Sequence, residues 1–453
     1  MNKIRVRYAP SPTGFLHIGN ARTALFNFLF ACHLKGNFII RIEDTDLTRN
    51  IDQSEKTQLQ QLKWLGLTWS EGPDIGGKFG PYRQSERIEI YQKYANILIK
   101  KKLAYKEYKD KTQKNNFFIR FKIPSNTKFE FNDLIRGKLS FQSKDIEDWI
   151  IIKENGFPTY NFAAAIDDHL MGISHILRGE EHITNTPKQI MLYQSFGWDI
   201  PLFAHLSIIL NKNKKKLSKR DNNEMQFIEK YMNCGYLPEA LFNYLSLLGF
   251  SPSNNKTILS QKELIDLFDV KKLIKSPAIF DIEKLNFINS QYLKKMDSQK
   301  LVEQTKYFFN KNEINKNQEW ITNFIDLFKN RLNNIQETVT LYNNFFSEKE
   351  KLILDLNSEE LYFLKDKNTL NNIKNLYNMI IKIESFDVNS IKKLIKEFSE
   401  KTKLKGKNLF QIIRISCSGK THGPDLYIFL KLLGKKQIIN NINKIIKLIE
   451  LEK

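Results

Sequence analysis

The chain has 453 residues, enough for about three domains at roughly 150 residues each. Hydrophobic residues make up 41% and aromatics 12%, which excludes wholesale disorder, and the longest apolar stretch, around residues 24–32, falls well short of the ~20 residues that span a bilayer. Lys and Arg outnumber Asp and Glu by 71 to 50, and the net charge of +21 suits a polyphosphate such as nucleic acid, although a chain this rich in Lys, Asn, Ile and Phe can owe its charge to codon bias.

Residues 4–9 (IRVRYA) alternate like a strand and run into Pro10-Ser11-Pro12-Thr13-Gly14, a loop of chain breakers. Apolar residues Ala21, Ala24, Leu25, Phe28, Leu29 and Cys32 then recur at helical spacing from about Asn20 until Gly36. A strand over 37–42 and a helix over 53–65 follow, so the start of the chain reads as a doubly wound parallel α/β sheet of the Rossmann type. Ligands of such sheets bind at the carboxyl ends of the strands, which is where residues 7–19 lie. One long helix is expected over 86–103, then short strands such as 117–123 and 149–153, as in a small α+β insertion. The α/β pattern resumes over 158–170, with a helix at 187–196 and a strand at 205–210. Beyond Asn222 strands fade, and amphipathic Lys-rich helices run to the end, an all-α half. The segment after Met1 goes straight into the first strand without an apolar leader, so a cytosolic protein is expected. Cys32, Cys234 and Cys417 are odd in number and far apart, which gives neither a disulfide framework nor a four-ligand zinc pattern.

Two segments carry phosphate chemistry. In residues 9–20 a strand delivers a Gly/Pro loop into a helix start, where unpaired N–H groups and the helix dipole favour anions. His17 adds a donor there and Gly19 leaves room for a nucleobase, although a lone His at a helix start is more commonly a cap. The second is Lys216-Leu217-Ser218-Lys219-Arg220, preceded by Lys212, Lys214 and Lys215, whose lysines can clamp a triphosphate as charge develops on leaving pyrophosphate.

Together these segments resemble the HIGH and KMSKS pair of class I aminoacyl-tRNA synthetases. Residues 41–46 (RIEDTD), 80–87 (GPYRQSER), 158–161 (PTYN), 167–172 (DDHLMG) and 178–182 (RGEEH) look like bacterial glutamyl-tRNA synthetases, as do Gly423-Pro424-Asp425-Leu426 and Leu432-Leu433-Gly434. The resemblance implies a catalytic domain in two halves (1–85 and 156–205), an inserted acceptor-end-binding domain (86–155), a stem-contact domain with the KMSKS-type loop (206–298) and a helical anticodon-binding region (299–453). It implies a cytoplasmic, monomeric ligase that joins L-glutamate to tRNA(Glu), with tRNA(Gln) as a further possible acceptor, using ATP with Mg²⁺. The catalytic set is His17, Lys216, Ser218 and Lys219. ATP falls to Pro10, Ser11, Pro12, Thr13, Gly14, His17, Gly19, Asn20 and Lys219, and glutamate to Arg7, Ala9, Ser11, Glu43, Tyr160 and Arg178.

These assignments make chemical sense. Glutamate carries two carboxylates and an ammonium, which forked arginines and a carboxylate complement. Buried arginines otherwise require internal anions, for which Asp44 and Asp46 are the expected partners. Departures from the pattern are Asn20 and Leu217 within the two signatures, Ala164 near the pocket, and Lys106-Glu107-Tyr108-Lys109 where some relatives place zinc-binding cysteines, so no structural zinc is expected. A truncated paralogue modifying a tRNA base, or a small-molecule nucleotidyltransferase, has no use for residues 223–453. A non-catalytic relative has no need of His17, Lys219 and the arginines.

Overall fold

The computed structural model describes residues 4–108, 117–215, 226–347 and 367–451. The first alternating run forms β1 (Arg5–Tyr8), which pairs in parallel with β2 (Asn37–Ile40), Arg5 opposite Asn37 and Tyr8 opposite Ile40. The helix between them, α1 (Ile18–His33), starts two residues earlier than its apolar spacing suggests, because His17 caps it. It buries Ala21, Ala24, Leu25, Phe28 and Leu29. Gly36 then turns into β2 at a point where a Cβ would lie 2.5 Å from the Ile4 carbonyl oxygen. After α2 (Ser54–Trp64) the chain extends the sheet past β2, where Ile40 donates to the Glu71 carbonyl and Ile42 to that of Tyr82.

The helix expected over 86–103 is two elements. Residues 84–87 form a tight 3-10 turn, and α3 runs from Ile88 to Lys100 (Ile88–Lys100). Gln84 and Arg87 both reach the buried Asp167 carboxylate, at 2.9 and 2.7 Å, and Lys102 takes a left-handed φ of 59° before Leu103.

Five strands follow: β3 (Ala104–Tyr108), β4 (Phe117–Phe121), β5 (Lys128–Asp133), β6 (Gly137–Gln142) and β7 (Trp149–Ile152). β3, β4 and β7 make an antiparallel sheet of their own. The β5–β6 hairpin joins a different sheet. After α4 (Tyr160–Leu170), β8 (His175–Gly179), α5 (Thr186–Phe196) and β9 (Leu202–Leu206), β8 and β9 pair in parallel, and the end of β5 pairs with β9, Asp133 opposite Phe203. Ser174 donates to the Arg5 carbonyl at 3.0 Å and links β8 to β1. Hydrogen bonds thus order the layer as β2, β1, β8, β9, β5, β6.

The strand expected over 205–210 is split into β9 and β10 (Ile209–Leu210), because the intervening Ile208 gives its N–H to the Glu180 carboxylate at 2.9 Å. The helices α6 (Ile228–Asn233), α7 (Pro238–Leu247) and α8 (Gln261–Leu267) follow. β11 (Ala278–Ile279), paired with β10, is the one short strand beyond Asn222 among the described residues. α9 (Ile282–Lys295) carries the chain from the first compact unit, residues 1–289, to the second, 290–453.

The second unit is helical throughout its described residues. In α10 (Ser298–Lys311), α11 (Gln318–Phe328) and α12 (Glu337–Phe345) an aromatic cluster forms, with Phe309 5.6 Å from Phe324 and Trp320 5.1 Å from Phe346. Five further helices complete it: α13 (Lys367–Lys382), α14 (Val388–Thr402), α15 (Gly406–Ser418), α16 (Leu426–Leu433) and α17 (Lys435–Leu451). In α17 Ile438, Ile442, Ile445 and Ile449 point inward while Lys436 and Lys447 face solvent, the usual reason a Lys-rich helix folds. Among the described residues no helix is long and apolar enough to cross a membrane.

Candidate active site

A cavity of about 450 Å³ opens at the carboxyl ends of β1, β2 and β8. Of the residues expected to bind substrates, Arg7, Ala9, Pro10, Ser11, Thr13, Asn20, Glu43, Tyr160 and Arg178 line it. Pro12, Gly14, His17 and Gly19 are not among its walls. Ala164, one turn after Tyr160 on α4, is fully buried and is not among them either. Lys216, Ser218 and Lys219 lie outside the described residues.

The loop before α1 is held from α2. Ser54 Oγ and Gln58 Nε2 donate to the Gly14 carbonyl at 2.6 and 2.7 Å, and the Gly14 N–H donates back to Ser54 Oγ at 2.9 Å. Gly14 has a φ of 127°, which L side chains rarely adopt. His17 accepts the Gly19 N–H at Nδ1, 3.1 Å away, so a neutral ring carries its proton on Nε2. The ring also packs edge-on against Phe227, at 5.9 Å, where Ile228 donates to the Leu16 carbonyl at 3.0 Å.

Beneath the cavity lies a ladder of buried charges. Arg7 grips Asp168 with two bonds, Nε to Oδ1 at 3.0 Å and Nη2 to Oδ2 at 3.2 Å. Arg41, fully buried, gives Nη1 to Asp168 at 2.6 Å and Nη2 to Glu43 at 2.9 Å. Burial alone would raise the Asp168 carboxyl, but Arg41 and Arg7 outweigh it and hold it below its ordinary range. For Glu43 burial wins: its carboxyl is pushed up despite Arg41, so a cation entering the cavity would favour its ionisation.

The expected anions, Asp44 and Asp46, are not the partners of these arginines. Asp44 accepts from the N–H and hydroxyl of Ser85 at 2.8 and 2.6 Å. Asp46 is exposed and accepts from Thr48 Oγ1 at 2.8 Å. Asp168, more than a hundred residues away, does that work instead.

Arg178, on β8, is buried and differently placed. Its bonds run to neutral acceptors: His205 Nε2 at 3.2 Å, Gln189 Oε1 at 2.9 Å and Thr186 Oγ1 at 2.7 Å. It makes no ion pair among the described residues, and burial lowers its pKa. Burial, with Arg178 and Arg7 close by, lowers His182 to about 3, so this ring on the cavity wall is neutral in ordinary buffers. Burial likewise raises the Tyr160 hydroxyl, which stays protonated. The cavity therefore offers a buried guanidinium lacking a counter-ion, a second one at its floor, and a carboxylate opposite.

A family described as tRNA synthetases class I (E and Q), catalytic domain, matches residues 3–114 and 107–287, and an anticodon binding domain family matches 300–446. The chain belongs to the class I synthetases of this group. A glutamate–tRNA ligase of Acholeplasma laidlawii is 49% identical to it over 99% of both chains, and one of Bacillus subtilis is 44% identical, covering 98% of this chain and 100% of that one. A crystal structure of a glutamate tRNA ligase from Elizabethkingia meningosepticum, in complex with its amino acid, superposes with a TM-score of 0.87 at 34% identity, covering 98% and 99% of the two chains. Use of ATP comes with membership of the family.

Several residues of the synthetase's cavity were not picked out as site residues from sequence: Arg41, Asp168, Lys153, Glu181 and His182 line or support it. One signal was available. Asp167 and Asp168 stand side by side on α4 among Phe162, Ala163, Ala164, Ala165 and Ile166, all buried, and two carboxylates on so apolar a face require buried cations.

Proposed function

We infer that the chain activates L-glutamate with ATP and transfers it to the 3′ end of tRNA(Glu). The observation that carries this reading is Arg178, a buried guanidinium with neutral partners only, facing a cavity that also holds Arg7 and Glu43. A dicarboxylic amino acid supplies the missing anion and meets Glu43 with its ammonium.

In the first step an α-carboxylate oxygen attacks the α-phosphorus in line, forming a mixed anhydride as the bond to pyrophosphate breaks. In the second, a terminal ribose hydroxyl of the tRNA attacks the activated carbonyl, losing its proton, and AMP leaves. Little covalent chemistry falls to the protein; alignment and stabilisation of phosphate charge dominate. His17 contacts phosphate through Nε2–H and Lys219 neutralises the leaving group, with Lys216 and Ser218 shaping that loop. Pro10, Ser11, Pro12, Thr13, Gly14, Gly19 and Asn20 form the nucleotide side, and Ala9, Ser11 and Tyr160 contact glutamate beside Arg7, Glu43 and Arg178. In this reading Mg²⁺ arrives on the nucleotide, and Lys106-Glu107-Tyr108-Lys109, where some relatives place zinc-binding cysteines, gives it no structural zinc.

Residues 86–155 hold the acceptor end, 206–298 the inner stem, and 299–453 the anticodon, in a cytoplasmic monomer. tRNA(Gln) is the second acceptor to test. Glutamate-dependent ATP–pyrophosphate exchange, run with and without tRNA, decides the activity. Weak exchange alone and strong exchange with tRNA(Glu) is the expected result, since a bound partner can complete a catalytic site. No glutamate-dependent exchange in either condition would overturn the reading.

A further inference from the structure

The last residue of β5, Asp133, and the penultimate residue of β9, His205, form a buried pair beside Arg178. One Asp133 oxygen accepts the N–H groups of Ile135 and Arg136 at 2.9 and 2.8 Å, and the other accepts the His205 N–H at 3.1 Å and its Nδ1 at 2.6 Å. A carboxylate so supplied with donors stays ionised, and burial is outweighed. Its bond to Nδ1 therefore fixes the imidazole tautomer, with the proton on Nδ1 and the lone pair on Nε2. That lone pair faces Arg178 Nε at 3.2 Å. Thr186 Oγ1, 3.1 Å from Nε2, also accepts from Arg178 Nη2 at 2.7 Å, and Gln189 accepts from Nη1 at 2.9 Å. Three of the five guanidinium N–H groups are thereby committed to neutral acceptors, which fixes the plane of the fork without cancelling its charge.

We propose that Asp133 and His205 are positioning residues for Arg178: a carboxylate–imidazole–guanidinium relay by which the inserted β5–β6 hairpin sets the geometry of the amino-acid pocket. The neutral imidazole is essential to the arrangement. A carboxylate in its place would neutralise Arg178 and compete with the substrate, and the opposite tautomer would turn an N–H against the Arg178 N–H. Asp133 selects the tautomer that accepts.

The relay rests on the glutamate-activating reading, and paired variants test it in the presence of tRNA. In His205→Asn the amide can take the place of Nδ1 and keep Asp133, with nothing left for Arg178. In His205→Gln the amide oxygen can take the place of Nε2 and keep Arg178, giving up Asp133. The glutamate KM in pyrophosphate exchange should rise by about tenfold or more in His205→Asn, as for one lost hydrogen bond to a charged group, and stay closer to the parent in His205→Gln. KM for ATP and for tRNA should remain within about twofold. Asp133→Asn, which favours the wrong tautomer, should repeat the His205→Asn result and replaces it if that variant does not fold. Equal glutamate KM in the two His205 variants, or all three KM values rising together, would overturn the relay. A parent protein without glutamate-dependent exchange would instead overturn the functional reading, so the two failures are distinguishable.

Discussion

Replacing Asp168 with Asn changes one buried charge and almost no volume. Three guanidinium groups (Arg7, Arg41 and Arg87) face three carboxylates (Glu43, Asp167 and Asp168) through contacts of 2.6–3.8 Å. Asn at 168 leaves that cluster with an uncompensated positive charge and sets an amide N–H₂ against one of the two guanidinium groups the carboxylate now joins. Breaking a buried pair by removing one partner typically costs 3–5 kcal/mol, roughly a third to a half of the stability of an ordinary domain. Asp168→Asn should therefore lower the urea-derived unfolding free energy of the catalytic unit by about 3 kcal/mol or more at pH 7, followed by circular dichroism. Because Arg7 loses its two-point anchor, the glutamate KM should rise in whatever fraction remains folded. A variant within about 1 kcal/mol of the parent, with unchanged glutamate KM, would refute the view that Asp168 holds the arginines in place.

His182 gives a pH test. Its folded pKa, lowered to about 3, lies below the unfolded value, so as pH falls through 6.5 the unfolded chain gains a proton that the folded ring refuses. Stability is lost at up to ~1.4 kcal/mol per unit below that point; the ring is about a third exposed, so solvent screening leaves roughly 1 kcal/mol between pH 6.5 and 5, and His182→Gln should lose that much less over the same interval in paired urea titrations. The other buried histidines contribute equally to both proteins, and parallel pH curves would refute the assignment. For the basic loop, Lys219→Ala should slow adenylate formation by ~10²-fold while leaving glutamate KM nearly unchanged in single-turnover assays. A near-normal rate with a raised KM would place Lys219 on the amino acid instead.

What could be read from sequence was what local periodicity encodes. The alternation at 4–9 and the apolar spacing from Ala21 to Leu29 mark β1 and α1, although both are buried on more than the one face that such patterns require. Apart from the start of α1, which its own cap His17 sets, the misreadings arise where a distant side chain intervenes. Asp167 pulls residues 84–87 into a tight turn, and Glu180 takes the Ile208 N–H out of a strand. Pairing of Arg7 with Asp168 spans a sequence separation of 161, so the nearer Asp44 and Asp46 looked equally suitable on charge alone. The cavity-facing residues were more legible, because each sits at the end of a strand or the start of a helix and such positions mark themselves with breakers and polar residues.

The way the insertion divides between two sheets bears on how this chain can be recombined. Exchanging the whole of residues 104–152 between homologues would cut through the edge of the catalytic layer, because β5 hydrogen-bonds to β9. Among the described residues the sheet of β3, β4 and β7 pairs with no strand of that layer, so it is the portion a chimera can trade, provided that the buried faces of Phe121, Ile151 and Ile152 and the bonds from Thr159 to the Ile150 and Ile151 carbonyls are kept. Crossover points are therefore best set at the two ends of the hairpin, near residues 127 and 143, so that 128–142 stay with the β9 they pair with.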